Sequence, residues 1–130
     1  MFEAFLFYYY YFMATFVISK RFDDYYKFVF TSRKGKAIFT SFRYELKFEC
    51  EEGIEYFKNS IETVTFLKVK SPGGKFFFKI MLEDIHFATS RKYTTELLLQ
   101  KGIEEIQLHS QKSEVLDFTS NDFVFNKEKL

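Results

Sequence analysis

Thr40-Ser41-Phe42-Arg43-Tyr44, followed by Gly53-Ile54-Glu55, is answered later in the chain by Thr89-Ser90-Arg91-Lys92-Tyr93, followed by Gly102-Ile103-Glu104. A separation of about 50 residues is the signature of one supersecondary unit written twice. The Thr-Ser pair suits a strand end and turn, because short hydroxyl side chains hydrogen-bond nearby backbone. From Tyr44 onward the apolar period becomes helical. Leu46, Cys50, Gly53, Ile54 and Phe57 share one face, while Glu45, Glu49, Glu52 and Lys58 lie largely away from it.

Working outward, Phe16 and Ile18 alternate with Val17 and Ser19 until Lys20-Arg21-Phe22-Asp23-Asp24, a strand followed by a turn. Phe28 and Phe30 alternate with Lys27, Val29 and Thr31, and Gly35 then supplies the positive φ of a hairpin before a short strand at 37–40. In the second copy Leu67 and Val69 are matched to Phe16 and Ile18, and Phe78 and Ile80 to Phe28 and Phe30. The connecting turn becomes Ser71-Pro72-Gly73-Gly74, and the next hairpin, at Glu83-Asp84, is one residue shorter. Phe87 answers Ile38, while Leu97, Leu99, Ile103 and Ile106 answer Phe48, Cys50, Ile54 and Phe57. Thr94, ahead of Glu96, is the expected N-cap of the second helix.

Each copy is thus predicted to be β-β-β-α, spanning 14–60 and 64–110. One copy alone would expose the apolar face of its sheet. Together they are expected to form an α+β domain over 13–120: one antiparallel sheet with two helices packed on one face. Gly53 and Gly102 fall inside apolar helical faces, where glycine costs about 1 kcal/mol relative to alanine. Each is read as structural, admitting a close approach between helix and sheet.

The order Phe16-x-Ile18, Phe28-x-Phe30, Gly35, Thr40-Ser41, Tyr44, Gly53-Ile54, restated as Leu67-x-Val69, Phe78-x-Ile80, Thr89-Ser90, Tyr93, Gly102-Ile103, resembles the YegP-like family of small bacterial proteins. The similarity runs over about residues 14–110 and rests on order and duplication rather than on a catalytic signature. It implies tandem three-strand-plus-helix units assembled into a single antiparallel sheet, with strand exchange between them. It implies no catalytic residue, since the family has no assigned activity. The second copy departs from the pattern in lacking a glycine matched to Gly35.

Composition narrows the function classes. With 20 Phe, nine Tyr and no Trp, the chain favours strands on a half-buried sheet. A net charge of +1 provides no global field for nucleic acid or a membrane surface. The lone Cys50 forms no internal disulfide, which points to a reducing cytoplasm. The opening stretch Met1 to Phe12 is apolar and aromatic but has Glu3 and no Lys or Arg before Lys20, unlike a secretory signal. It is too short for a membrane span. Residues 1–12 are read as an N-terminal extension with Met13 as the start, an extra strand or hydrophobic anchor being the alternatives. At the other end, Val115-Leu116-Asp117-Phe118 suits an added edge strand, and 121–130 reads as a tail despite Phe123 and Phe125.

No residue set points to an enzyme. Cys50 is answered by Leu99, His86 by Ala37 and His109 by Ser60, so none belongs to a duplicated site. Glu49, Glu51, Glu52 and Glu55 point in several directions on a helix, as a solvated face does. No cofactor or metal is expected.

The remaining candidate is the sheet face that the helices leave uncovered. Alternation assigns to it Lys27, Val29, Thr31 and Phe39 from the first copy and Lys68, Lys70, Phe77, Lys79 and Met81 from the second. Three readings fit such a face. Lysines interleaved with Phe39 and Phe77 match a single-stranded nucleic acid platform, which combines stacking with phosphate contacts. An apolar patch also suits a homo-oligomer or another protein partner. In the third reading, long lysine stems simply cover apolar surface. The leading expectation is a non-catalytic interaction or scaffold module, self-associating through this face. Single-stranded nucleic acid binding on Lys27, Phe39, Lys68, Lys70, Phe77 and Lys79 is the alternative.

Overall fold

The computed structural model, which describes residues 13–119, turns each alternating stretch into a strand and each helical period into a helix. The order is β1 (Thr15–Lys20), β2 (Tyr26–Thr31), β3 (Ala37–Ser41), α1 (Lys47–Asn59), β4 (Thr65–Lys70), β5 (Phe76–Leu82), β6 (Ile85–Ser90) and α2 (Glu96–His109). A 3-10 turn (Ser110–Lys112) and β7 (Glu114–Asp117) follow. The expectations for residues 1–12 and 121–130 lie outside the described residues.

Seven strands form one sheet in the order β4-β5-β6-β3-β2-β1-β7. At its centre β3 and β6 run antiparallel, with Thr40 opposite Thr89, Phe39 opposite Ser90 and Ser41 opposite Ala88. Both helices turn their apolar faces to the same layer. Cys50, Ile54 and Phe57 of α1 and Leu99, Ile103 and Ile106 of α2 join Phe16, Ile18, Phe28, Phe30, Phe78 and Ile80 in one core. Burial of this set is the main stabilising contribution, since each buried large apolar side chain contributes about 1.5–3 kcal/mol.

The residues that mark the two matching stretches do the same structural work. Ser41 Oγ accepts from the Phe28 N–H (3.0 Å) and its hydroxyl donates to the Phe42 carbonyl (2.7 Å). Ser90 Oγ accepts from the Phe78 N–H (2.8 Å) and donates to the Arg91 carbonyl (2.6 Å). Each serine therefore satisfies a buried strand amide that no neighbouring strand reaches. The backbone of Tyr44 exchanges two hydrogen bonds with Tyr26 (2.7 and 2.8 Å), as Tyr93 does with Phe76 (2.6 and 2.8 Å). The phenol ends of the tyrosine rings then lie against the helix glycines. A Cβ on Gly53 would stand 2.5 Å from Tyr44 Oη, and one on Gly102 would stand 3.0 Å from Tyr93 Cζ. The close approach expected at these glycines is real, but its partner is a tyrosine ring rather than the sheet.

Four expectations are corrected. The sheet is not wholly antiparallel: β7 pairs with β1 in parallel, from Thr15 opposite Glu114 to Ile18 opposite Asp117. The chain reaches β7 from α2 rather than by a tight hairpin from β1, so nothing in the connection forces the antiparallel direction that a hairpin would impose. Phe39 is in the core, 1% exposed, not on the uncovered face. The pairing of β2 with β3 shifts register between Phe30 and Thr31, placing Phe39 opposite Phe30 and leaving Ile38 as the extra residue; both are buried. In β4 the faces are exchanged. Phe66 lies opposite Ile80 and Lys68 opposite the buried Phe78, so Phe66, Lys68 and Lys70 look toward the helix layer, and Leu67 and Val69 look away. Finally, α2 is capped by Thr95, whose hydroxyl accepts from the Leu98 N–H (3.1 Å), one residue beyond Thr94.

The glycine missing from the second hairpin is replaced by strain. Glu83 and Asp84 both adopt positive φ, 50° and 66°, in the mirror-image turn that joins β5 to β6.

Candidate functional site

Strand pairing defines what the uncovered face presents. Residues directly opposite one another across a ladder share a face. One row therefore crosses every strand: Leu67, Lys79, Thr89, Thr40, Val29, Val17 and Leu116. Phe77 stands beside it opposite Val69, Lys27 opposite Ser19, and Met81 opposite both Thr65 and His86. Of the six residues read as a binding face, Lys27, Phe77 and Lys79 are there. Phe39 is in the core, and Lys68 and Lys70 are on the opposite side of β4, with Lys70 Nζ 5.7 Å above the Phe76 ring.

The face contains residues that sequence pattern alone did not assign to it. Leu67 is half exposed at 48%. The His86 ring lies against the edge of Phe42 with centroids 4.7 Å apart, and its Nε2 is 2.9 Å from Thr89 Oγ1 and 3.1 Å from the Ala88 carbonyl. That ring is held by its own strand, so it is a packed side chain rather than an open ligand. A constant spacing between the two matching stretches of sequence would have identified Leu67. The turns from Lys20 to Tyr26 and from Lys70 to Phe76 are equally long, so Phe66, not Leu67, answers Phe16.

Among the described residues, no group of three or more His, Cys, Asp or Glu is arranged to hold a metal ion. Burial, reinforced by the charges of Glu51 and Asp117, pushes the Cys50 thiol up to about 12. At pH 8 it is therefore a thiol, not a thiolate, and an inert core residue. Native protein should resist thiol-modifying reagents at that pH and react fully once denatured, measured by mass spectrometry. Rapid labelling of the folded chain would refute the core assignment. Burial also raises Tyr44 to about 12, and raises Tyr93 against the opposing charge of Arg91. Both phenols are neutral packing groups at ordinary pH.

The polar contacts at the β7 edge are structural. Lys47 pairs with Asp117, the Lys58 ammonium donates to the Ser113 carbonyl (3.0 Å), and the Phe118 N–H donates to the Ile18 carbonyl (2.9 Å). Partial burial acts to raise the Asp117 carboxyl, but hydrogen bonds from Lys47 and Thr119 outweigh it and hold it below its ordinary value. On the helix side, Arg33 Nε is 3.5 Å from Glu105, which offsets one positive charge of the Arg33-Lys34 turn. No helix among the described residues is long and apolar enough to cross a membrane.

No family model matches the chain. Individual proteins do. UPF0339 protein YegP of Escherichia coli is 28% identical over 106 residues, covering 80% of this chain and 96% of that protein. Two solution structures share the fold. That of E. coli yegP, a protein of unknown function, superposes with a TM-score of 0.71 at 26% identity, covering 82% of this chain and 94% of the other. That of a UPF0339 protein from Shewanella oneidensis superposes with a TM-score of 0.74 at 25% identity, covering 82% and 92%. These neighbours indicate no specific activity. A UPF0339 protein of Acinetobacter baylyi is 30% identical over 104 residues, 78% of this chain and 94% of its own length, and the chain belongs to the UPF0339 family.

Proposed function

We propose that this chain is a non-catalytic interaction module, built as two tandem β-β-β-α units (14–60 and 64–110), that self-associates through its uncovered sheet face. The observation carrying this reading is the cross-sheet row, in which Val17, Val29, Leu116 and the half-exposed Leu67 are apolar, with Phe77 and Met81 alongside. Apolar side chains on a face that no helix covers gain by burial against a partner. The duplicated polar groups, Ser41 with Ser90 and Tyr44 with Tyr93, are occupied in holding strands and helices. None of them converges on a pocket, which supports a binding role over an enzymatic one. A lone reduced Cys50 fits a cytoplasmic setting.

The nucleic acid alternative loses most of its support. Lys27 and Lys79 remain on the face, but on β2 and β5 they stand three strand spacings apart, about 14 Å across the sheet, and two residues out of row. Phe77 is the aromatic left beside them.

Mass by light scattering should fall from dimer toward monomer as the protein is diluted. Phe77→Asp should shift that transition to higher concentration with little change in melting temperature. A monomer at every concentration would overturn the reading. Salt-sensitive binding of single strands that Phe77→Ala abolishes would replace it with the nucleic acid reading.

A further inference from the structure

The two outer edges of the sheet are treated differently. β1 is covered by β7, whereas β4 ends the sheet and pairs only with β5 among the described residues. The edges are otherwise alike: β1 is a six-residue strand antiparallel to β2, and β4 a six-residue strand antiparallel to β5. We infer that the β4 edge is a strand-addition site for an extended acidic peptide segment of a partner protein, laid parallel to β4 as β7 lies on β1. This surface is distinct from the uncovered face, and the inference does not depend on self-association.

The backbone sets the geometry. The Phe78 N–H is directed to Ser90 Oγ on the β6 side, away from β4. Its opposite residue, Lys68, is therefore in a pair without mutual hydrogen bonds, and the Lys68 N–H and carbonyl point outward from the sheet. By alternation the backbone groups of Phe66 and Lys70 do the same. These three residues offer a ladder like the one that Ile18 offers to β7, where its carbonyl accepts from the Phe118 N–H at 2.9 Å. Such main-chain bonds supply affinity in strand addition, and alternate side chains supply selectivity.

The side chains choose the occupant. On β1, Phe16 lies opposite Val115 and Ile18 opposite Asp117. On β4 the equivalent positions are Phe66 and Lys68. A strand with the pattern apolar-x-acid would set its apolar residue against Phe66 and its carboxylate against the exposed Lys68, with exposed Lys70 beyond. A second β4 is disfavoured, because it would bring these lysines face to face, and lysines on an edge strand resist pairing with an identical edge.

The test uses the full chain, isotopically labelled, and a capped synthetic peptide of the sequence Ser113 to Thr119 as probe. In the free protein the amides of Phe66, Lys68 and Lys70 should exchange with solvent faster than those of Leu67 and Val69. Peptide addition should slow those three amides and shift β4 resonances. Lys68→Glu should weaken binding about fivefold, and a peptide carrying Lys in place of its Asp should restore binding to that variant. Because Lys68 is exposed, an unchanged spectrum elsewhere will certify the variant's fold. Protection of the β4 edge before peptide is added, shifts confined to β1 and β7, or binding indifferent to Lys68→Glu would each overturn the inference.

Discussion

Phe57→Ala is expected to lower folding stability by about 3–5 kcal/mol, the range for truncating a fully buried phenylalanine. Phe57 is 0% exposed, and its ring touches three others. It stacks on Phe87 with centroids 5.6 Å apart and an interplanar angle of 5°, and meets Phe39 at 5.3 Å and Phe16 at 6.2 Å. Phe16 and Phe39 come from the first three strands and Phe87 from the sixth, so this one ring bridges both halves of the core. Its loss leaves a cavity that surrounding aromatics on a rigid sheet cannot close. Domains of this size are stable by only about 5–15 kcal/mol, so a large fraction of folded protein is at stake. Equilibrium denaturation by guanidinium measures the change directly. Phe57→Leu should be clearly milder. A Phe57→Ala loss below about 1 kcal/mol, well under the usual range, would mean that the two halves do not share a core.

Gly102→Leu is the second large effect, expected at about 2–3 kcal/mol or outright unfolding, since overpacking typically costs 1–3 kcal/mol. Glycine within a helix normally invites improvement, because alanine is better by about 1 kcal/mol. Here the space a Cβ needs is filled by the Tyr93 ring, with Cζ 3.0 Å from the Cβ position. That ring has little freedom: it stacks on Phe78, and its backbone is tied to Phe76 by two hydrogen bonds. Even Gly102→Ala should therefore destabilise. In a Tyr93→Ala background the same substitution should become stabilising, as helix propensity reasserts itself. That reversal of sign, read from a double-mutant cycle, separates ring contact from any other role of the glycine. Gly53 against Tyr44 should behave in the same way.

The matching stretches were legible because each residue type answers a local demand. A serine satisfies a strand amide, a tyrosine ring closes over a helix, and a glycine makes room for it. Faces were harder to read. In β3, alternation counted from β2 puts Phe39 outside, yet the register shift lets Ile38 and Phe39 both face the core. The same shift in β6, between Ile80 and Met81, lets Phe87 pack against the core beside buried Ala88. In β4, Leu67 and Val69 look like an inward pair because lysines flank them. That expectation holds for a strand whose helix-facing side is fully covered. At the edge, Lys68 and Lys70 are exposed on the helix side, so lysine costs nothing there and the apolar residues fall on the other face.

The candidate surface changed accordingly. Lys27, Phe77 and Lys79 kept the place that alternation assigned them, while Phe39, Lys68 and Lys70 left it. What remains is an apolar row on the uncovered face and, separately, a lysine-bearing edge.

Element type and order followed from the sequence alone, because strand and helix periods are local properties of where apolar side chains recur. The buried faces of both helices, Cys50, Ile54 and Phe57 and Leu99, Ile103 and Ile106, followed at the same level, whereas the partner of each helix glycine, a tyrosine ring, came from the tertiary structure. Only the tertiary structure decided which side of β4 faces the helices, that β7 joins β1 in parallel, and that β4 is left as the outer strand. These are outcomes of pairing between distant segments, and a shift of one residue in a ladder exchanges every side chain between faces.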